Sequence, residues 1–339
     1  MKAIRLNEPG QWEAIELPDL NDPLPDDHAL LKVKKMGVCG TDLHAFKGTQ
    51  PFFNYPRILG HELAVEVVAV GENVQNVNVG DRCSVEPYYN DVIGQAVRRG
   101  KTNCGEYLKV LGVHVDGGMC EYFSYPAKFL HTSSKLSEDQ LALIEPLAIG
   151  YHAVERARIQ EDDLVLVIGA GPIGLGATQF AQLTGARVLV MDIDQKKLDK
   201  CQQITDVKET LTTDGDVEAK LKALLNGDLP TIILDATGNS TSMMKTFDYA
   251  AAGGTIVFIG LFIGDVTFHD PTFHKKELTL MASRAAMSED FSRIIRLVEE
   301  GKIDPSVYIT HRLDFDNVPD QFETLYEHGS DLIKAMIKL

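Results

Sequence analysis

The sequence predicts an α/β protein in which a doubly wound parallel sheet is joined to a β-rich domain. Three observations carry the prediction. Residues 164–176 read LVLVIGAGPIGLG, an apolar run closing on a glycine-rich turn. From 163 to about 284, strand-like and helix-like patterns alternate, as a parallel sheet requires. Residues 1 to about 135 instead carry short apolar runs, such as 29–33 and 64–70, separated by Gly, Pro and Asn-Asp turns. A chain of 339 residues is long enough for two cores. The expected division is a β-rich domain over 1–148, a parallel-sheet domain over 149–290 and a C-terminal segment over 291–339.

The elements follow in order. Ser137-Glu138-Asp139-Gln140 has the form of a helix capping box, with Ser first and Gln three later. That helix is expected to stop near Glu145, because Pro146 lacks an N–H and disfavours helical geometry in the residue before it. A second helix, about 147–156, leads into the strand 164–169. There Gly169 permits a turn, Gly171 lets backbone approach a pyrophosphate, and Gly174 lets helix and strand pack closely. Pro172 and Ile173 open a helix whose free N–H groups would hold the phosphates. Further strands are expected at 187–192, 231–236, 254–260 and 277–282, with helices at 172–184, 195–203, 216–225 and 240–251. The second strand ends at Asp192. An acidic residue about 20 positions past the glycines binds both adenosine ribose hydroxyls and repels a 2′-phosphate, which points to NAD rather than NADP. Ala236-Thr237 and Gly260-Leu261, at strand carboxyl ends, should line the adenine and nicotinamide sides. The tail reads as a helix at 289–299, then strand, helix (318–327) and strand (332–337), too little for a core of its own. It should therefore return to the β-rich domain. The segment 263–269, with GDVTFH inside it, reads as an exposed edge strand that could pair with a second chain.

Composition narrows the function classes. The net charge of −16 argues against a nucleic-acid or anionic-membrane partner, and an anionic substrate would need local Arg or Lys. The opening MKAIRLNEPG has no apolar signal core, and no run reaches the length of a membrane span. Five cysteines, odd in number and without C-x-x-C spacing, suit a reducing cytoplasm. A small-molecule partner is the expectation.

A second constellation lies upstream. Cys39-Gly40-Thr41-Asp42-Leu43-His44 is followed by Gly60-His61-Glu62 and then by Glu145. One thiolate, one imidazole and carboxylates suit tetrahedral zinc with one position left open. Taken singly, each residue has a plainer reading. Cys39 could be a small core residue, His61 a satisfied buried histidine, Glu62 a solvated charge and Glu145 the end of a helix.

The neighbouring residues change that weighting. GVCGTDLH, PRILGHE, LGVHVDGG, ALIEPLAIGYHAV and VLVIGAGPIGLG occur in one order over nearly the whole chain. Together they resemble the zinc-dependent medium-chain dehydrogenase/reductase family, in its sorbitol/threonine dehydrogenase branch. The resemblance implies a GroES-like catalytic domain and a Rossmann domain. It implies a catalytic zinc on Cys39, His61 and an acidic residue, either Glu62 or Glu145. It also implies oxidation of a secondary alcohol by NAD, with Thr41 taking the hydroxyl proton and His44 passing it on. Relatives carry a structural zinc on four cysteines, whose places here fall to Asp91, Gly94, Val97 and Gly105, with Cys104 one residue out of register. No structural zinc is expected. QPFFNYPRILGHE, DPTFHKKELTLMASR and 289–301 look most similar to sugar-acid dehydrogenases acting at C5 of L-galactonate or L-gulonate, giving D-tagaturonate or D-fructuronate. Arg284 is then the first candidate for the substrate carboxylate, followed by Arg57, Lys275 and Lys276. A polyol or threonine-type dehydrogenase is the alternative, and a non-catalytic dinucleotide-binding regulator a second. Relatives are dimers or tetramers, so a homodimer or homotetramer is expected.

Overall fold

The computed structural model describes residues 1–18, 23–51, 53–327 and 329–339. They form two compact units, Met1–Ala148 with Ala286–Leu339, and Ile149–Ala285.

The first unit is built on a seven-stranded sheet. Its path runs Leu130–Thr132, Arg82–Val85, Glu62–Val70, His28–Val38, Lys334–Lys338 and Ile309–Asp314, with Tyr122–Pro126 also pairing with His28–Val38. Alternate residues of His28–Val38 point inward, and Leu31, Val33 and Met36 join Leu63, Val65, Val67 and Ile337 in the core. This period-two burial is what a sheet with one covered face requires. The C-terminal strand Lys334–Lys338 inserts beside His28–Val38 in antiparallel register, Ala335 opposite Val38. On the other side, Gly37 stands opposite Glu62. One strand therefore separates Glu62 from Lys334. A two-stranded ribbon, Tyr88–Asn90 with Leu108–Val110, forms the base of a lobe.

The second unit is a six-stranded parallel sheet. Numbered along this unit, the strands run 3-2-1-4-5-6: Glu209–Thr212, Arg187–Asp192, Leu164–Ile168, Ile232–Asp235, Thr255–Phe258 and Thr279–Ala282. This is the doubly wound order with its reversal between strands 1 and 4. Leu166, Ile168, Leu189, Ile233 and Ile256 are almost completely buried, as strands covered on both faces must be.

Three expectations change. The helix begun by Ser137 ends at Ala142, and a second helix, Ile144–Ala157, contains both Glu145 and Pro146. Pro146 is tolerated because first-turn N–H groups have no helical partner to lose. The capping box itself is present, with Ser137 Oγ accepting from Gln140 N–H at 3.2 Å. The strand Glu209–Thr212 has no apolar run, and of its four residues only Leu211 is buried, so periodicity misses it. Finally, 263–269 is not a strand. The exposed edge of the sheet is Thr279–Ala282, whose outer partner position is empty among the described residues.

Candidate active site

The upstream constellation comes together in the first unit. Ligand atoms of Cys39, His61 and Glu62 all lie within 4.8 Å of one another. Cys39 follows the strand His28–Val38 and caps the helix Gly40–Phe46, while Glu62 begins the neighbouring strand and His61 immediately precedes it. Gly60 precedes them with φ +103°, a conformation that glycine adopts without strain. His61 is buried, and its Nδ1 has no hydrogen-bond partner. Asp42 Oδ1 stands 3.8 Å away, also buried and also without a partner. Its other oxygen accepts the Cys39 N–H at 2.9 Å. A carboxylate beside the second ring nitrogen is the usual way to orient a metal-binding histidine. Burial alone would lower the His61 pKa, but Asp42 and Cys39 hold it well above its ordinary value. A thiol, an imidazole and a carboxylate converging in this way fit a zinc ion.

Glu62 has a second partner. Lys334 Nζ donates to both of its oxygens, at 2.6 and 2.8 Å, and to the Val38 carbonyl at 3.1 Å. Both side chains are buried, at 1% and 3% exposure, so each supplies the charge the other needs away from water. Burial would lower the Lys334 pKa, yet Glu62 keeps it raised. Gly37 makes the contact possible: a Cβ there would stand 2.1 Å from Glu62 Oε2.

Glu145 lies in the first turn of its helix, 4% exposed. Burial pushes its carboxyl up to about 7, against the opposing pull of His61. The Tyr88 hydroxyl donates to its Oε1. Thr41, half-buried, and exposed His44 stand three residues apart on the helix Gly40–Phe46, hence on neighbouring turns of one face. His44 Nδ1 is 3.1 Å from Thr49 Oγ1.

In the second unit, a pocket of about 790 Å³ is lined by Gly169, Gly171, Asp192, Lys197 and Thr237. It opens at the carboxyl ends of strands 1, 2 and 4, where the strand order reverses and such sheets bind ligands. A Cβ on Gly174 would fall 1.7 Å from the Gly169 carbonyl oxygen, whereas one on Gly171 would meet nothing within 4 Å. Gly174 is thus a packing requirement, and Gly171 leaves room for something that is not protein. Pro172 opens the helix Pro172–Leu183, with Ile173 next. Asp192 is 9% exposed and already accepts two backbone N–H groups, from Ala170 at 2.7 Å and Asp194 at 2.9 Å. It therefore also ties the glycine turn to the second strand. Buried Asp235 accepts from Thr237 Oγ1 at 2.6 Å and fixes that side of the pocket. Leu261 does not line the pocket, and its side chain is 72% exposed.

The candidate cations fare differently. Arg57 pairs with Asp116 at 3.2 Å, and its Nε is buried without a partner. Lys276 donates to the carbonyls of Phe247, Asp248 and Ala250 at 2.8–3.1 Å, closing the helix Ser240–Tyr249. It is a helix cap rather than a substrate anchor. Arg284 and Lys275 are exposed on the second unit. Sequence reasoning missed Asp42, Lys334 and Tyr88. Asp42 was visible inside CGTDLH, but Lys334 is 272 residues from its partner and only the sheet joins them.

Residues 25–135 match the family described as the alcohol dehydrogenase GroES-like domain, and residues 172–300 match the zinc-binding dehydrogenase family. The chain is 43% identical to L-galactonate-5-dehydrogenase of Escherichia coli (strain K12), over 96% of this chain and 95% of that protein. It is 29% identical to D-xylulose reductase of Saccharomyces cerevisiae, over 99% and 97% of the two chains. A crystal structure of a short chain alcohol dehydrogenase from Escherichia coli CFT073, complexed with cofactor NADH, superimposes with a TM-score of 0.92 at 30% identity, covering 100% of this chain and 99% of that one. With a GroES-like β unit, a Rossmann sheet and these relatives, the chain is a member of the zinc-type alcohol dehydrogenase family.

Proposed function

We propose that this protein oxidises a secondary alcohol of a sugar acid with NAD, at C5 of L-galactonate in the first place and of L-gulonate in the second. The observation that carries the reading is the 43% identity, over almost the full length, to L-galactonate-5-dehydrogenase. Cys39, His61 and Glu62 would hold the zinc. The glycine turn with Asp192 would hold the dinucleotide. The chemistry these groups supply when bound is Lewis acidity at the alcohol oxygen and hydride acceptance at the nicotinamide.

The chain's own residues do the rest. Asp42 orients the His61 ring, and Lys334 holds both oxygens of Glu62 where water cannot reach them. Thr41 Oγ1 accepts the hydroxyl proton in a hydrogen bond, and His44, one turn along and exposed, carries a proton to solvent. Asp192 binds the ribose hydroxyls and disfavours a 2′-phosphate. Arg284 and Arg57 are the proposed partners of the substrate carboxylate. The unpartnered Nε of Arg57 supports its place there.

The reading includes one catalytic zinc and no structural zinc. Of the four lobe positions, Asp91 is the one with a ligating side chain, and it pairs with Lys109. The lobe has other ties: Glu106 accepts the Ala96 N–H at 3.1 Å, and Asn90 Nδ2 donates to Thr102 O at 2.9 Å. A cytoplasmic location is supported by five free cysteines. Among the described residues no helix is long and apolar enough to cross a membrane. A homo-oligomer is supported by the exposed edge strand Thr279–Ala282.

The test is NAD reduction, followed by nicotinamide absorbance, across L-galactonate, L-gulonate, L-idonate, sorbitol, galactitol and L-threonine. Preference for an acid is expected. Preference for sorbitol or galactitol would replace the carboxylate reading with a polyol dehydrogenase.

A further inference from the structure

We propose that Thr49 is a positioning residue for His44: its hydroxyl holds the imidazole in the tautomer with the proton on Nδ1, so that Nε2 is the atom that takes up a proton. The inference deepens the relay role given to His44 above and rests on it.

The helix that carries His44 ends in a way that brings Thr49 back beside it. Lys47 caps the helix, and Gly48 follows with φ +74°, the left-handed conformation that closes many helices. Gly48 N–H donates to the Ala45 carbonyl at 3.0 Å, and Thr49 N–H to the His44 carbonyl at 2.9 Å. These are the two bonds of a Schellman ending, which places the second residue past the cap beside the third-from-last residue of the helix. In such an ending an apolar contact frequently forms there. Here the two residues are Thr49 and His44, and the contact is polar: Thr49 Oγ1 lies 3.1 Å from His44 Nδ1. The backbone around His44 is also held from outside the helix. The Tyr326 hydroxyl donates to the Leu43 carbonyl, the Tyr55 hydroxyl to that of Ala45, and Gly10 N–H to that of Phe46 at 2.8 Å. The last four carbonyls of the helix, which have no helical N–H to accept beyond its end, are thus all occupied.

One hydroxyl carries one proton, and the second contact of Thr49 directs it. Its Oγ1 is also 3.3 Å from the His44 carbonyl oxygen, which has no proton to give, so the hydroxyl donates there. Towards the ring it then accepts, and the donor is Nδ1–H. The tautomer of a neutral histidine follows from the hydrogen bond that one of its nitrogens makes. With Nδ1 protonated, the Nε2 lone pair is free to take a proton. The imidazolium so formed has an N–H on both nitrogens, so the bond to Thr49 survives uptake and release, and the ring keeps its place through both. The proton accepted at Nε2 leaves from the same atom to water, which reaches this exposed side chain. The opposite arrangement, with Thr49 donating to Nδ1, would leave two oxygens 3.3 Å apart with no proton between them. It would also put the ring proton on Nε2, where it blocks uptake.

The experiment uses the full chain, grown with ring-¹⁵N histidine and held at alkaline pH, where imidazole is neutral. Long-range proton–nitrogen correlation spectra tell the two tautomers apart, and the signals that vanish in His44→Gln identify His44 among the ten histidines. Wild type is expected to show Nδ1 as the protonated nitrogen. Thr49→Val keeps the shape without the hydroxyl and is expected to move His44 towards the Nε2–H tautomer. It should also lower kcat for L-galactonate oxidation by about tenfold, out of the roughly 100–10,000-fold that positioned proton transfer contributes, with KM little changed. Thr49→Ser returns the hydroxyl, and should restore the Nδ1–H pattern and most of the rate. A wild-type His44 with its proton on Nε2, or a Thr49→Val protein that keeps the Nδ1–H pattern, overturns the proposal and leaves Thr49 as part of a helix stop. The wild-type spectrum decides this even if a variant does not fold. The Nδ1–H pattern together with full turnover in His44→Gln overturns the relay reading instead, and with it the functional half of this inference.

Discussion

Glu62 and Lys334 show how much of the candidate centre depends on single residues. Lys334 has three donors, and all three are used, on two carboxylate oxygens and a carbonyl. Removing one partner of a buried ion pair costs about 3–5 kcal/mol, because the other charge is left alone. Lys334→Met is therefore expected to lower the thermal midpoint strongly in chelator-stripped protein and less in zinc-loaded protein, where Glu62 has a second cation. Equal losses in both forms, measured by paired melts, would separate Glu62 from the metal. Cys39→Ser is expected to lose zinc and turnover while still binding NADH. A fully active Cys39→Ser protein, assayed beside its metal content, would end the zinc reading. The sequence made Cys39 and His61 legible because they sit inside compact motifs. Lys334 was not legible, since no local pattern marks a lysine whose role is assigned by strand pairing.

Elements were legible where hydrophobic period and turn chemistry agree. The strand Leu164–Ile168, the glycine turn and the helix Pro172–Leu183 fall at their expected places. The strand Glu209–Thr212 was missed because a short polar strand is held by its neighbour, pairing with Arg187–Asp192, rather than by its own pattern. The stretch 263–269 looked like a strand by composition, but strand propensity without a paired edge decides little. The glycine turn allows a sharper test. Gly171 has φ −80° and open space at its Cβ position, so Gly171→Ala is expected to keep its thermal midpoint and weaken NADH binding at least tenfold. Gly174→Ala must instead displace the Gly169 carbonyl and is expected to destabilise the fold by several kcal/mol. Fluorescence titration and melting of the two variants give the comparison. Identical behaviour of the two would dissolve the distinction between ligand space and packing.

At the scale of the molecule, the two units divide the candidate chemistry: the β-rich unit carries the thiol, imidazole and carboxylates, and the parallel sheet carries the pocket beside the glycine turn, the proposed dinucleotide site. The edge Thr279–Ala282 leaves Leu280 38% exposed beside unpaired backbone. Sedimentation velocity is expected to show two or more copies per particle, and Leu280→Lys to shift the distribution towards monomer. Wild type sedimenting as monomer alone would contradict the assembly. The proposed activity is zinc-dependent alcohol oxidation at Cys39, His61 and Glu62. Its most direct test is the rate of NAD reduction with L-galactonate in protein of measured zinc content, before chelation, after chelation and after zinc is restored. One zinc per chain, loss of turnover on stripping and recovery on reloading is the predicted result. Full turnover in stripped protein, with zinc well below one per chain, would contradict it.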